Sequence, residues 1–302
     1  MAPVLTVPLG LALALAGVRL GYAASRDAAG SWATVGLRTL AGRSGWLVLA
    51  GAVAAAALHS SSAVEVAVLT LVQARTLALD DGLFVILGAN VGTTVTAQLV
   101  ALRLPGLGAL AMGLGLLVML VSRRGGTALA IFSLGCFLQG LDLVAAGVGP
   151  WVAGRLASLG HAGVASPASG FAWGWLLTSL VQSSTVVSSA LVKMAGEGLL
   201  APEVGVAAVL GANVGTVTTG LVASLFVGRG ARWLALADFA LNLWGAVLAL
   251  GLFGWFVELL QRLAESPSQV VAHAHTVFNV VSLILAWPLV RPLGRWLASR
   301  LG

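Results

Sequence analysis

The segment Leu58 to Thr96 returns as Val181 to Thr219, at a constant offset of 123 and without a gap. About 15 of the 39 paired positions are identical, and they concentrate in two polar motifs instead of spreading evenly. His59-Ser60-Ser61-Ser62 pairs with Gln182-Ser183-Ser184-Thr185. Gly88-Ala89-Asn90-Val91-Gly92-Thr93 pairs with Gly211-Ala212-Asn213-Val214-Gly215-Thr216. An apolar chain that carries the same glycine-rich polar interruption twice points to a transport site built from two broken-helix repeats.

The chain belongs in a bilayer. Hydrophobic residues make up 59% and charged residues 9%, against roughly 25% charged in soluble domains. Too few charges remain to cover a soluble surface. Pro3–Ala24, Leu104–Val121, Thr127–Val148, Trp233–Val257 and Val270–Val290 are apolar runs, each close to the roughly 20 residues that span the hydrocarbon core as a helix. The net charge of +6 would raise nucleic acid as a partner in a soluble protein. Here the arginines stand singly or in pairs at the ends of apolar runs, so they anchor and orient, and nucleic acid is excluded. Cys136 is the single cysteine; an internal disulfide and a zinc cluster are excluded. Pro3–Ala24 lacks a basic n-region and reads as a retained span, despite a faint cleavage-like Tyr22-Ala23-Ala24-Ser25.

The arginines set a topology. Arg26, Arg38 and Arg43, then Arg123-Arg124, then Arg229 and Arg232, then Arg291, Arg295 and Arg300 form four clusters that the positive-inside tendency places in the cytoplasm. The N-terminus is then outside and the C-terminus cytoplasmic. Ser31–Leu40 reads as an interfacial helix. Residues 45–77 form a re-entrant hairpin that turns at the serines, and residues 82–102 a broken span. In the second half, residues 171–200 form the matching hairpin from the other side, and residues 204–227 the matching broken span. Gly149–Gly170 is the external loop. Each repeat holds an odd number of spans, so the two copies are inverted. The expectation is an all-α polytopic membrane protein with two inverted repeats, at residues 1–125 and 126–245. Residues 246–302 add the rest of the penultimate span, an extra C-terminal span and a tail.

The motifs have a physical role in that frame. Unpaired polar groups in hydrocarbon cost several kcal/mol, so irregular backbone survives only inside protein or beside a wet cavity. A helix starting at Ser61 or Ser62 aims free N–H groups and the positive end of its dipole into the bend. With the hydroxyls of Ser60, Ser61 and Ser62, and with Gln182, Ser183, Ser184 and Thr185 from the other copy, this suits a tetrahedral oxyanion. The glycines of Gly88–Thr94 permit an unwound turn. Freed carbonyls and the oxygens of Asn90, Thr93, Thr94, Asn213, Thr216, Thr218 and Thr219 suit sodium. Small residues also serve close helix packing, and Gly88-x-x-x-Gly92 is such a pattern; duplication of both motifs argues against packing alone.

Gln-Ser-Ser-Ser followed some 25 residues on by Gly-Ala-Asn-Ile-Gly-Thr-Thr, twice, resembles the type II sodium–phosphate cotransporter family over nearly the whole chain. His273-Ala274-His275-Thr276-Val277-Phe278-Asn279 looks like the family's His-x-x-Phe-Asn segment, and Asp238–Trp244 like a weaker copy. The resemblance implies a secondary active transporter of the bacterial inner membrane, without the cytoplasmic regulatory domain of many relatives. It implies inorganic phosphate and sodium as partners, no cofactor and no enzymatic activity. Phosphate export, another oxyanion, proton coupling and a non-transporting anion sensor are the alternatives. His59 replaces the family's Gln, Thr185 its third Ser, and Val217 stands opposite Thr94. Glu65 is also unusual for its position.

Ionisable residues inside a membrane mark function by default. His59 and Glu65 flank the first serine motif and add candidate cation ligands; Glu65 reads equally as a structural partner of His59 or an arginine. Arg19 and Asp142 share one place in the two repeats and read as a buried ion pair. Asp238 and Glu258 read as structural residues near helix ends. His273 and His275 are two apart, the wrong spacing for one helix face, so no transition-metal site is expected.

Overall fold

The computed structural model describes residues 5–13, 16–17, 19–20, 36–102, 104, 106–121, 125–159 and 166–300. Arg26, Arg123-Arg124, Tyr22–Ser25, the first residues of Ser31–Leu40 and most of Gly160–Ser166 lie outside that set. The described residues are helical with short connections, and no strand occurs among them. Eleven helices carry the argument: α1 (Ser44–Leu58), α2 (Ser61–Gln73), α3 (Leu79–Ala101), α4 (Leu107–Val121), α5 (Gly125–Leu159), α6 (Pro167–Val181), α7 (Ser184–Gly196), α8 (Pro202–Val227), α9 (Arg229–Gly251), α10 (Phe253–Leu263) and α11 (Pro267–Ala298). Before them, residues 5–13 are helical, and Leu37–Thr39 form a single turn.

Among the described residues, four helices are long and apolar enough to cross a membrane: α3, α8, α9 and α11. The surface is that of a lipid-facing chain, with Leu120 at 85% and Phe226 at 86% exposure; patches of this kind would be untenable in water. α3 and α8 are the most enclosed of the four. α1 packs along α3, and α6 along α8.

Those two pairings repeat contact by contact. A Cβ on Gly51 would strike the Val85 backbone, and one on Gly174 the Ala208 backbone. Gly88 lies against Val48 and Gly211 against Phe171; Gly92 lies against Ala52 and Gly215 against Trp175. Every one of these partners is related by the sequence offset. Glycine lets two helix backbones meet without intervening side chains.

This packing corrects the expectation of broken spans at residues 82–102 and 204–227. α3 runs unbroken through Gly88–Thr94, and α8 through Gly211–Thr219. The glycines are used for close approach, so their carbonyls stay inside the helical ladder. Two further boundaries differ. α5 remains helical to Leu159, which takes the expected loop at Gly149–Gly170 into the helix for half its length. The run Trp233–Val257 divides at Leu252 into α9 and α10.

Candidate functional site: two serine-capped helix starts

α1 and α6 end alike. His59 takes the left-handed conformation at φ 50°, ψ 31°, and Gln182 at φ 57°, ψ 30°. A non-glycine residue held there costs on the order of 1 kcal/mol, and the same strain in both copies identifies the bend as a constructed feature. The next residue swings out to extended geometry: Ser60 at φ −157°, ψ 112° and Ser183 at φ −150°, ψ 100°. Ser60 Oγ accepts a hydrogen bond from the Ala63 N–H at 3.2 Å, and Ser183 Oγ from the Val186 N–H at 3.3 Å. Each is the N-cap of a new helix.

Capping leaves the N–H groups of the first two residues without an intrahelical acceptor. These are Ser61 and Ser62 on α2, and Ser184 and Thr185 on α7. All four side chains are buried, between 2% and 9% exposed. The cap hydroxyls accept one bond each and keep a proton to donate. Helix starts of this form are ready-made anion sites.

The two serine-headed helices pack against the same two long helices. α2 packs on its own α3 and also on α8; α7 packs on its own α8 and also on α3. Each serine-headed helix is thus held by the long helix of both halves. A cavity of about 250 Å³ opens elsewhere, beside Leu99, Leu107, Leu138, Asp142 and Lys193, and no residue of the serine motifs lines it.

The expected cation ligands are more scattered. Thr93 Oγ1 donates to the Asn90 carbonyl at 2.9 Å and Thr94 Oγ1 to that of Val91 at 2.8 Å. Thr216 Oγ1 donates to the Ala212 carbonyl at 3.0 Å. Asn213 donates to the Val209 carbonyl, and its Oδ1 accepts from Asn279 Nδ2 at 3.0 Å. Thr218 Oγ1 accepts from Ser179 Oγ at 3.5 Å, the outer limit of such a contact. Thr219 Oγ1 is buried without a partner. Asn90 is half-buried on α3.

His59 and Glu65 do not meet as partners. His59 Nδ1 lies 3.1 Å from Thr96 Oγ1, and the ring stacks on Phe137 with centroids 5.9 Å apart. Glu65 is 2% exposed, its Oε1 has no hydrogen-bond partner, and its carboxyl abuts Gly220 of α8. The Arg19–Asp142 pair is also corrected. Asp142 instead binds Lys193 Nζ at 2.6 Å, and Arg19 is exposed. Equal places in two repeats make residues equivalent and do not make them neighbours. Asp238 is corrected too: it lies mid-way along α9, 2% exposed, accepting from Asn242 Nδ2 at 2.9 Å.

Several buried polar groups lie outside the expected site residues. Thr178, Ser188 and Ser189 are fully buried and have hydroxyls without partners. His275 is 1% exposed with neither ring nitrogen bonded. Ser188 occupies in the second copy the position of Glu65 in the first. On α11, Thr276 Oγ1 accepts from Gln98 Nε2 of α3 at 2.7 Å, and Asn279 reaches Asn213 of α8. The His-x-x-Phe-Asn segment therefore bridges the two long central helices.

The described residues define an all-helical membrane protein with two buried, duplicated helix starts. The chain belongs to the Na+/Pi-cotransporter family, whose profile matches residues 13–146 and 136–285. It is 31% identical to YqeW of Bacillus subtilis over 77% of this chain and 76% of that one. It is 25% identical to YjbB of Escherichia coli, a protein named for inorganic phosphate export, over 82% of this chain and 46% of YjbB. It is 31% identical to the sodium-dependent phosphate transport protein 2B of Bos taurus, over 50% of this chain and 20% of that protein. No solved structure matches.

Proposed function

We propose that this protein moves inorganic phosphate across the bacterial inner membrane, coupled to sodium, by alternating access around the two serine-capped helix starts. One observation carries the reading: a strained bend, a capping serine and a buried helix N-terminus occur twice, at paired positions, in a member of this family. Ser60, Ser61, Ser62, Gln182, Ser183, Ser184 and Thr185 receive the phosphate oxygens. Because α3 and α8 are continuous, sodium is held by side-chain oxygens. The unpartnered hydroxyls of Thr178, Ser188, Ser189 and Thr219 join Asn90, Thr93, Thr94, Asn213, Thr216 and Thr218 as the candidates. The relatives' names divide between export and sodium-dependent transport, and the imposed gradients set the direction of a secondary transporter. Radiolabelled phosphate uptake into proteoliposomes tests the reading. Uptake that rises with an inward sodium gradient is expected; phosphate binding with no uptake would make the protein a sensor.

Residues 1–125 and 126–245 are proposed as inverted repeats, followed by the added segment 246–302. α1 and α2 have 15 and 13 residues, about 22 and 20 Å at 1.5 Å per residue. Neither covers a core of roughly 30 Å alone, which favours a re-entrant hairpin; α6 and α7 match them in length. Ala78 and Ala201 are paired positions, both exposed, that follow the two hairpins. In a Cys136-free background, cysteines at Ala78 and Ala201 should react with impermeant reagent from opposite sides, Ala78 from the cytoplasm. Labelling from one side would remove the inversion.

A further inference from the structure

We propose that the cavity beside Asp142 and Lys193 is an antechamber of the serine site, in which Lys193 exchanges Asp142 for an incoming tetrahedral oxyanion and so unlatches α5 from α7. That the oxyanion is phosphate rests on the transport reading above.

The cavity of about 250 Å³ lies between the end of α3, the start of α4, the middle of α5 and the last turn of α7. With about 10–15 Å³ sufficing for one water, it has room for a hydrated phosphate. The topology expected from the arginines puts the end of α3, the start of α4 and the end of α7 outside. The cavity therefore faces one side of the membrane.

α5 lines this space and also covers both serine bends. Leu138 and Leu141 line the cavity and share a buried cluster with Phe137 and Val186. Phe137 stacks on His59, the bend of the first half. Val186 donates its N–H to Ser183 Oγ in the second half. Displacing α5 uncovers both helix starts together.

The packing divides where such a displacement needs it to. Within its own layer α5 makes backbone-close contacts. A Cβ on Gly115 or Gly108 of α4 would strike the backbone of Phe132 or Gln139, and one on Gly10 that of Gly140 and Val144. Toward the rest of the bundle the contact is thin. Among the described helices, α4 packs extensively on α5 alone, and α5 on α4 and α7. The cavity lies in that seam.

Lys193 Nζ closes the seam by binding Asp142 Oδ1 at 2.6 Å, with Glu197 of its own helix 3.6 Å away. The two side chains are 28% and 40% exposed, so water screens the pair and it is readily undone. An ammonium offers three donors and no acceptor, and the oxygens of a tetrahedral anion replace a carboxylate on it directly. From Lys193 the anion has nine residues of α7 to travel to Ser184, about 13 Å at 1.5 Å per residue, and it ends at the positive pole of that same helix. The latch is one-sided. The repeat places Arg19 opposite Asp142 and Thr70 opposite Lys193, and the Thr70 hydroxyl donates to the Ala67 carbonyl of its own helix at 2.6 Å.

Thiol labelling of the full-length, Cys136-free protein in lipid nanodiscs tests the latch without requiring transport. The reporter is Leu138→Cys, or Leu141→Cys if the first does not fold, probed with a hydrophilic maleimide. Without phosphate, adding Asp142→Asn or Lys193→Gln should each speed labelling about two- to fivefold, the range that a part-exposed ion pair controls. Exchanging the charges, Asp142→Lys with Lys193→Asp, should restore slow labelling, which a general loosening of the fold would not. Inorganic phosphate should speed labelling of the reporter alone, saturably, and should leave the Lys193→Gln rate unchanged. Equal rates in the reporter and both single variants would overturn the latch. A reporter rate unmoved by phosphate, or equal acceleration in Lys193→Gln, would overturn the exchange. Absence of uptake in the parent would sink the transport reading and leave the phosphate-free labelling result standing.

Discussion

Ser61→Ala and Ser184→Ala should each weaken phosphate binding by roughly 10- to 100-fold, since losing a hydrogen bond to a charged group costs about 1.5–3 kcal/mol. The structure explains why folding should survive. The capping bonds belong to Ser60 and Ser183, one residue earlier, so the helix starts keep their caps when Ser61 or Ser184 is changed. Ser60→Ala makes the contrast. It removes a cap and should cost about 1 kcal/mol of stability, with a smaller loss of affinity. Equilibrium binding of radiolabelled phosphate to purified protein, alongside thermal unfolding, separates these outcomes. Parent-like affinity in both Ser61→Ala and Ser184→Ala would reduce the serines to packing residues and remove the proposed substrate site.

The serine bends were legible in the sequence because their consequences are local. A run of Ala, Leu and Val that meets Ser-Ser-Ser offers a capping side chain at once, and the same capping forms in both copies. The glycine motifs were not legible in the same way. Glycine permits an unwound turn and also permits close approach, and Gly88-Ala89-Asn90-Val91-Gly92 alone cannot distinguish them. The deciding residues lie on another helix: Gly51 and Gly174, which meet Val85 and Ala208. A glycine placed in both α1 and α6 at the repeat offset was the available signal. Glu65 and Asp238 illustrate the other limit. Each was visible as a charge in an apolar run, but their burial at 2% exposure each, and the seat of Glu65 against Gly220 of the other half, exist only in the packed helices. Asp142 shows the same limit, because its partner Lys193 was reachable only through the packing of α5 on α7.

Arg291→Leu should destabilise the protein by about 2–3 kcal/mol, less than the roughly 3–5 kcal/mol for breaking a fully buried ion pair, because the guanidinium is partly exposed. Arg291 belongs to α11, outside the proposed repeats, yet it fastens two helices of the first one. It binds Asp80, reaches Asp81 Oδ1 at 2.8 Å and donates to Ser44 Oγ at 3.0 Å. Its guanidinium also sits 5.1 Å from the Phe84 ring centre. Asp81, whose side chain is 4% exposed, accepts from the Gly42 N–H as well. One side chain thereby ties the first turns of α1 and α3 to α11. Leucine keeps the bulk and strands two carboxylates, of which Asp81 has little access to water. The loss should appear as a melting temperature lower by roughly 4 °C or more in lipid nanodiscs, at 2–4 °C per kcal/mol for a chain approaching this size. Arg291→Lys should recover part of it, since a point charge cannot serve two carboxylates and a hydroxyl with a planar fork. Adding Asp80→Asn and Asp81→Asn to Arg291→Leu should recover more, because the penalty lies in the unpaired charges and not in the missing arginine. A triple variant that melts no higher than Arg291→Leu alone would place the effect in packing against Phe84 instead.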